Sequence, residues 1–263
     1  MPSELQYLDT FFNSRVFRIP DYQRGYAWGQ RQLGDFWQDL NRLRDDRNHY
    51  TGQLTIEKVP ETQWKKWEDE KWLIEGKGFK PYYVVDGQQR LTTAIILIKC
   101  LLDRLSDGEQ LAFTEKADLT KKYLVQTAGS VSHAYLFGYE KDNPSYEYLK
   151  TQILGESSNT FHGVETTYTA NLEAARNYFQ NKIKELSHEQ LENLFKGATR
   201  RFVFSVYELE DKLDEFVVFE TMNNRGKPLS RLELLKNRLI YLSTLFPVLS
   251  EGADATTRMP VNS

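Results

Sequence analysis

Residues 82–105, YYVVDGQQRLTTAIILIKCLLDRL, decide the fold of this chain. Residues 82–85 form a short apolar run of β-branched and aromatic residues, which is typical of a buried strand. From Leu91 onward the apolar residues recur at helical spacing and fall on one face. The stretch therefore predicts a strand that passes into a helix through a turn of only three residues, 86–88.

This strand–turn–helix junction is a candidate phosphate site. The free N–H groups of the helix and the positive end of its dipole converge at such a turn. Gly87 lets the backbone be approached closely, and Arg90 supplies a fixed positive charge. Gln88 and Gln89 offer amide donors and acceptors, while Asp86 is a candidate Mg²⁺ ligand or helix cap. The Walker spacing GxxxxGK[ST] is absent, and a capped turn with solvated glutamines explains the same residues.

A second candidate segment, IPDYQRGYAW, spans residues 19–28. Its proline and glycine predict irregular backbone between a strand and a helix. Aromatic side chains beside an arginine can stack on a base while the guanidinium holds a phosphate. The candidate contact residues are Tyr22, Gln23, Arg24 and Trp28. The alternative is that the aromatic side chains belong to the core and the arginine pairs with an acid.

A third segment, TMNNRGKPLS, spans residues 221–230 between two predicted helices. Its amide and basic side chains, including Asn223 and Arg225, could close over a polyphosphate. A plain helix–loop–helix corner accounts for the same residues, because asparagine tolerates left-handed backbone.

Composition narrows the classes of function. The 263 residues carry a net charge of −3, which argues against a domain that coats nucleic acid by charge alone. One cysteine and four scattered histidines predict neither a disulfide framework nor a histidine-based nuclease centre. Cys100 falls in the apolar helix and is expected to be a small core residue. Neither a membrane-spanning run nor a secretory signal is present in the sequence, so we expect a cytoplasmic protein.

The remaining pattern predicts two parts, an α/β part over 1–106 and a mainly helical part over 107–250, followed by a flexible tail over 251–263. The first part is expected to open with a short amphipathic helix that contains Leu5 and Leu8. A charged excursion at 60–79 is expected to fold its tryptophans back onto the body. Further helices are predicted at 29–46, 113–126, 145–154, 164–186, 187–195, 213–222 and 230–245, with strands at 16–20, 50–59 and 201–209.

The three segments occur in one order, and together they resemble the N-terminal domain of GmrSD-type restriction endonucleases, including the related phosphorothioate-sensing SspE proteins. The resemblance covers roughly residues 5–245. It implies an α+β fold in which a small mixed sheet with helices, similar to the ParB/sulfiredoxin fold, precedes a mainly α-helical region. Gly52 resembles a glycine of the family, and the excursion at 60–79 looks like an insertion.

The resemblance also implies an activity, namely hydrolysis of a nucleoside triphosphate, with GTP favoured and Mg²⁺ as cofactor, that controls DNA cleavage during phage restriction. By carry-over the catalytic residues are Asp86, Gln88 and Arg90. The implied nucleotide-binding residues are Gly87, Gln89, Arg24, Gln23, Tyr22, Asn223 and Arg225. Asp86 is the implied Mg²⁺ ligand, and the implied DNA contacts are Tyr22, Arg24 and Trp28.

Members of this family continue into an HNH-type nuclease domain or act with a partner that supplies one. We therefore expect either a chain truncated to its N-terminal domain, which we favour, or a naturally short member that relies on a partner. The expected partners are that nuclease, a nucleoside triphosphate and modified DNA, with a homodimer as a further expectation. The alternative is a non-hydrolytic module that recognises modified DNA, for example phosphorothioated DNA. A third reading, in which the chain itself nicks DNA, needs a metal site or nucleophile that the sequence does not clearly offer.

Overall fold

A computed structural model describes residues 4–43, 47–129, 132–156 and 166–209. The strands, in chain order, are β1 (Glu4–Tyr7), β2 (Arg15–Ile19), β3 (His49–Lys58), β4 (Lys80–Asp86), β5 (Gln110–Leu111), β6 (Thr114–Glu115), β7 (Val125–Ala128), β8 (Ser132–Tyr135), β9 (Phe137–Tyr139) and β10 (Phe202–Glu208). The helices are α1 (Leu8–Phe11), α2 (Gln30–Asn41), α3 (Glu61–Trp64), α4 (Lys71–Lys77), α5 (Gln88–Asp103), α6 (Lys116–Tyr123), α7 (Tyr146–Tyr148), α8 (Thr167–Ile183) and α9 (His188–Lys196), with π-helical turns at Leu149–Ile153 and Gly197–Arg201.

A mixed six-stranded sheet, in the order β1-β10-β3-β4-β2-β9, organises the fold. The pairs β10–β3, β4–β2 and β2–β9 are parallel, whereas β1–β10 and β3–β4 are antiparallel. Opposite β10, Tyr50 pairs with Val203 and Gly52 pairs with Phe204, so Thr51 is an extra residue. This β-bulge bends β3 beside the end of β4, where the candidate site lies.

Helix α5 is the centre of the core. Thirteen of its sixteen residues are buried, and α6, α8 and α9 pack against it. Cys100 is 2% exposed, which confirms the prediction of a core cysteine. Burial raises the pKa of its thiol to about 12. A helix buried on nearly all sides holds its first turn in a fixed position relative to the sheet.

Several predicted elements are confirmed, and with them the α+β class. The decisive stretch is a strand and a helix, although α5 begins at Gln88, earlier than the apolar spacing indicates, because Gly87 starts it with left-handed backbone. The capping box of α9 is present, since the Ser187 hydroxyl accepts from the Gln190 N–H. The returning strand near residue 202 is β10.

Two predictions about local structure are wrong. The segment around Leu5 is a strand rather than a helix, because Glu4–Tyr7 pairs with β10. Of the predicted N-terminal helix, only the part that forms α1 is helical. The predicted helix at 113–126 shrinks to α6, because its ends belong to the two-stranded hairpins β5–β6 and β7–β8.

The excursion at 60–79 folds back as expected. Its helices α3 and α4 bring Trp67 to 6% exposure, with the Arg18 guanidinium 5.2 Å from the ring centroid. Arg18 also forms a buried ion pair with Glu70 at 2.5 Å. The segment 60–79 is therefore anchored on the β2–β9 side of the sheet.

Strands β9 and β10 lie beyond residue 106, so the six-stranded sheet contains strands from both sides of the predicted domain boundary. The division into two parts at residue 106 stays a prediction. The helices expected at 213–222 and 230–245, the segment 221–230 and the tail lie outside the described residues. Among the described residues, the helices are each too short or too polar to cross a membrane.

Candidate functional site

Gly87 joins β4 to α5 and is the narrowest point of the site. Its φ of +86° lies in the left-handed region. A Cβ at this position would lie 2.3 Å from Leu54 Cδ2 and 2.9 Å from the Gln53 carbonyl oxygen. Glycine is therefore required both by the backbone conformation and by the close approach of β3.

Arg90, in the first turn of α5, binds the bulged part of β3. Its Nη1 donates to the Thr51 carbonyl at 2.8 Å, and its Nη2 donates to the Gln53 carbonyl at 2.6 Å. Gly52 lies directly beneath the guanidinium, at a φ of +118°. Desolvation lowers the pKa of Arg90, and the nearby Asp86 carboxylate opposes that shift. Two of the five guanidinium N–H groups thus fix the strand, and three are not used by β3.

Gln89 joins the second segment to the junction. Its Oε1 accepts from the Ala27 N–H at 2.7 Å, and its Nε2 donates to the Gly25 carbonyl at 3.1 Å. Gln23, in the second segment, in turn binds the end of β4, since its Nε2 donates to the carbonyls of Val84 and Val85 at 3.1 and 2.7 Å. The two segments picked out in the sequence, 19–28 and 86–90, therefore form one hydrogen-bonded unit.

Residues that sequence reasoning missed support this unit from the second half of the chain. The Ser145 hydroxyl accepts from the Tyr26 N–H at 3.0 Å, and Asn143 Nδ2 donates to the Gln23 carbonyl at 2.9 Å. Asn171 Nδ2 donates to the Tyr26 carbonyl at 3.2 Å. More than a hundred residues separate these partners, so no local pattern in the sequence marks them.

Two buried glutamine oxygens have no hydrogen-bond partner among the described residues. They are Oε1 of Gln88, whose residue is 6% exposed, and Oε1 of Gln23, whose residue is fully buried. A buried acceptor without a donor costs about 1–3 kcal/mol. Both oxygens are therefore acceptors that remain open to a hydrogen-bond donor.

The other predicted contacts surround the junction at lower burial. Asp86 ends β4 and is half-buried. Tyr22 packs against Val85 and Leu209, a small cluster separate from the main core. Arg24 is half-buried and acts electrostatically on Tyr139. Asn223 and Arg225 lie outside the described residues.

A cleft of about 220 Å³ opens between α2 and the start of β3. Arg90 lines it together with Trp28, which is half-buried and lies edge-on to Phe36 at 6.3 Å between ring centroids. The junction and the cleft therefore share one side chain.

The Asp86 carboxylate at the junction is an oxygen ligand of the kind that could hold Mg²⁺ together with a phosphate group. Within the described ranges no three His, Cys, Asp or Glu side chains lie close enough to hold a metal ion. Mg²⁺ at a phosphate site does not need such a cluster, because one or two carboxylates and the phosphate oxygens suffice. Asp86, beside Arg90, is the carboxylate at this position.

Comparison with known families gives one match, to the family described as GmrSD restriction endonuclease, N-terminal domain, over residues 8–240. The matched range contains all three segments, at 19–28, 86–90 and 221–230. No curated protein matches the chain.

Proposed function

This chain belongs to the GmrSD restriction endonuclease N-terminal domain family, which makes it a module of a restriction or defence protein, and we propose that it binds and hydrolyses a nucleoside triphosphate to regulate DNA cleavage. The observation that carries the proposal is the junction at Gly87. There the first turn of a buried sixteen-residue helix, the Asp86 carboxylate and the orphaned Gln88 oxygen adjoin one another.

The first turn of α5 supplies the attraction for phosphate. The backbone N–H groups of its first residues have no partner within the helix, and the helix dipole adds partial positive charge there. Arg90 adds a full positive charge, with three N–H groups not used by β3. Because Gln89 and Arg90 tie this turn to two other segments, the donors are held in place before a ligand arrives, which favours electrostatic stabilisation of developing charge.

Hydrolysis of a phosphoanhydride depends on positioning and charge stabilisation more than on covalent chemistry by the protein. Asp86 is the residue that would hold Mg²⁺, which would supply positive charge to offset that of the phosphate oxygens. Gln88 Oε1 would accept a hydrogen bond from the attacking water and orient it toward the phosphorus. The Gln23 side chain keeps the end of β4 in place and thereby positions Asp86.

The proposed output is control of an HNH-type nuclease, supplied by another domain or a partner, in response to modified DNA. Arg24, Tyr22 and Trp28 are the proposed DNA contacts. Tyr22 packs against Val85, the residue before Asp86, Trp28 lines the cleft together with Arg90, and Arg24 lies between the two in the chain. Asn223 and Arg225 are proposed to contact the nucleotide, by analogy with the family pattern. We also propose a cytoplasmic location, because the family is one of restriction enzymes.

The second candidate, a non-hydrolytic module for modified DNA, is favoured by the same arginine and aromatic side chains. Asp35 and Asp39 line the cleft beside Trp28 and repel a phosphodiester backbone inside it, so DNA would contact Trp28 only at the outer edge of the cleft. A small nucleotide, whose phosphates sit at the helix and not between the carboxylates, avoids this repulsion.

The proposal is tested by nucleotide affinity and phosphate release for wild type, Asp86→Ala and Arg90→Ala, with Asp118→Ala as a control on an exposed helix. We expect Asp86→Ala to lower turnover by about a hundredfold or more and the control to leave it unchanged. Unchanged binding and turnover in both site variants contradicts the proposal. A shift in affinity for modified DNA without any turnover supports the second candidate.

A further inference from the structure

The cleft between α2 and β3 is lined by one face of the helix and by the start of the strand. On α2, the residues Gln32, Asp35, Phe36 and Asp39 follow one another at intervals of three, one and three residues, so they share a face of the helix. The opposite wall is the start of β3, at His49, Tyr50 and Thr51. At about 220 Å³, the space suits a flat ring system rather than a chain of sugars or a peptide.

Aromatic side chains form much of the lining. Phe36 lies edge-on to Phe202 at 5.3 Å between centroids and to Trp28 at 6.3 Å. Tyr50 is 58% exposed, an unusual state for a large ring on a strand. Phe36 and Phe202 are buried, whereas Trp28 is half-buried and Tyr50 is exposed, so the last two are the rings that can stack on a base. Such stacking tolerates any base, because every base has a π-face. The lining therefore favours a planar heterocycle.

The polar groups of the cleft narrow the choice of heterocycle. Asp39 lies 3.6 Å from His49 Nε2, so its carboxylate already has a neighbour. Asp35 has no hydrogen bond or ion pair with any residue that the structure describes. An ionised carboxylate only accepts hydrogen bonds, and its two oxygens suit a pair of adjacent N–H donors.

Among the common bases only guanine offers such a pair on its pairing edge, at N1–H and the 2-amino group. Adenine and cytosine each place a ring acceptor beside their amino group, and uracil flanks its single N–H with two carbonyls. A carboxylate repels those acceptors.

Arg90 connects this cleft to the phosphate site. It lines the cleft, and its Nη2 lies 3.4 Å from where a Cβ of Gly87 would be. A ligand that reaches from the cleft to the first turn of α5 would therefore contact Arg90 on its way. A nucleotide, with a base at one end and phosphates at the other, has this form.

We propose that the cleft is the base pocket of the nucleotide site and that Asp35 selects guanine through its N1–H and 2-amino group. The inference rests on the proposed function and adds a residue that determines specificity. The same chemistry would suit a guanine base extruded from DNA, and the test separates the two sources.

The test measures equilibrium affinity for non-hydrolysable guanine, xanthine and adenine nucleotides with Mg²⁺, using wild type and Asp35→Asn. Xanthine carries a carbonyl where guanine carries the 2-amino group, and asparagine offers one acceptor and one donor. Asp35→Asn should therefore weaken guanine nucleotide binding by about tenfold to a hundredfold and strengthen xanthine nucleotide binding. Asp118→Asn, which removes an exposed carboxylate from α6, serves as the matched control and should change neither affinity.

The outcomes separate this proposal from the proposed function. Nucleotide binding whose base preference is the same in wild type and Asp35→Asn overturns the base pocket and leaves the function standing. Absence of nucleotide binding in wild type overturns both. A loss of affinity in Asp35→Asn confined to a guanine-containing single-stranded oligonucleotide, with mononucleotide binding unchanged, overturns the assignment to the nucleotide.

Discussion

Arg90 lies directly over Gly52, so close that a Cβ on Gly52 would be 1.9 Å from Nη1. The guanidinium reaches the carbonyls on either side of that glycine, those of Thr51 and Gln53. The contact ties the bulge of β3 to the first turn of α5, and both the junction and the cleft depend on it.

Gly52→Ala tests this contact. The new methyl group would displace the guanidinium, and alanine would be forced to a φ of +118°. We expect a loss of about 2–4 kcal/mol in the free energy of unfolding, measured by urea denaturation. Gly34→Ala is the control, because Gly34 lies in α2 with nothing within 4 Å of its Cβ position. That change should stabilise the protein by about 0.5–1 kcal/mol, and equal losses in both variants would refute the special role of Gly52.

Gln89→Ala tests the connection between the two segments. It leaves the Ala27 N–H and the Gly25 carbonyl without their partner in a buried region. We expect a loss of about 2–5 kcal/mol in the free energy of unfolding, against less than about 0.5 kcal/mol for the exposed Gln38→Ala. Gln89→Glu, which keeps the acceptor for Ala27 but lacks a donor for Gly25, should also be destabilised at neutral pH. Wild-type stability in both Gln89 variants would mean that the carboxamide does not hold the segment.

The contacts of Arg90 and Gln89 could not be predicted from the sequence, although the junction itself could. The apolar run 82–85 and the helical spacing after Leu91 fix the strand and the helix locally, so the junction was predicted. The partners of Arg90 and Gln89 are backbone groups at residues 25–27 and 51–53, brought close only by the sheet. The sequence therefore predicted phosphate or nucleotide contacts for Arg90 and Gln89, while the structure adds a bracing role for each.

Asp9 should make stability depend on acid pH. Burial raises the pKa of Asp9, but hydrogen bonds from Lys122 and Tyr123 outweigh burial and hold its pKa below the ordinary value of 3.8. Below that value the native state binds fewer protons than the unfolded state, so stability falls as pH decreases through the lowered pKa and is fully present above 3.8.

Asp9→Asn should remove that part of the pH dependence. The midpoint of urea unfolding between pH 2.5 and 6 would then change less steeply than in wild type, whereas Asp118→Asn should keep the wild-type slope. Parallel curves for wild type and Asp9→Asn would show that the carboxylate does not contribute.

Cys100 should be unreactive in the folded protein. Burial raises the pKa of its thiol to about 12, and thiolate is the reactive form. We expect labelling by a thiol reagent at pH 8 to proceed only as fast as the protein opens, and to become fast in denaturant. Rapid labelling under native conditions would contradict the described packing of α5.

The N-terminal strand and the short strands after residue 106 mark another limit of sequence reasoning. Leu5, Leu8 and Phe11 recur at helical spacing, yet Glu4–Tyr7 pairs with β10, which follows about two hundred residues later in the chain. Strand β9 has only three residues, too few for an alternating pattern to show. Such strands exist because a neighbouring strand is present, which local propensity does not encode.

The central claim is that a nucleoside triphosphate binds with its phosphates at the Gly87 junction, and amide hydrogen exchange locates that binding directly. Wild type should be compared with and without Mg²⁺ and a non-hydrolysable GTP analogue. We predict the strongest slowing of exchange at residues 87–90, the same slowing in Asp118→Ala, and its loss in Asp86→Ala. Binding of the analogue with slowing confined to other segments, for example the β7–β8 hairpin, would contradict the account.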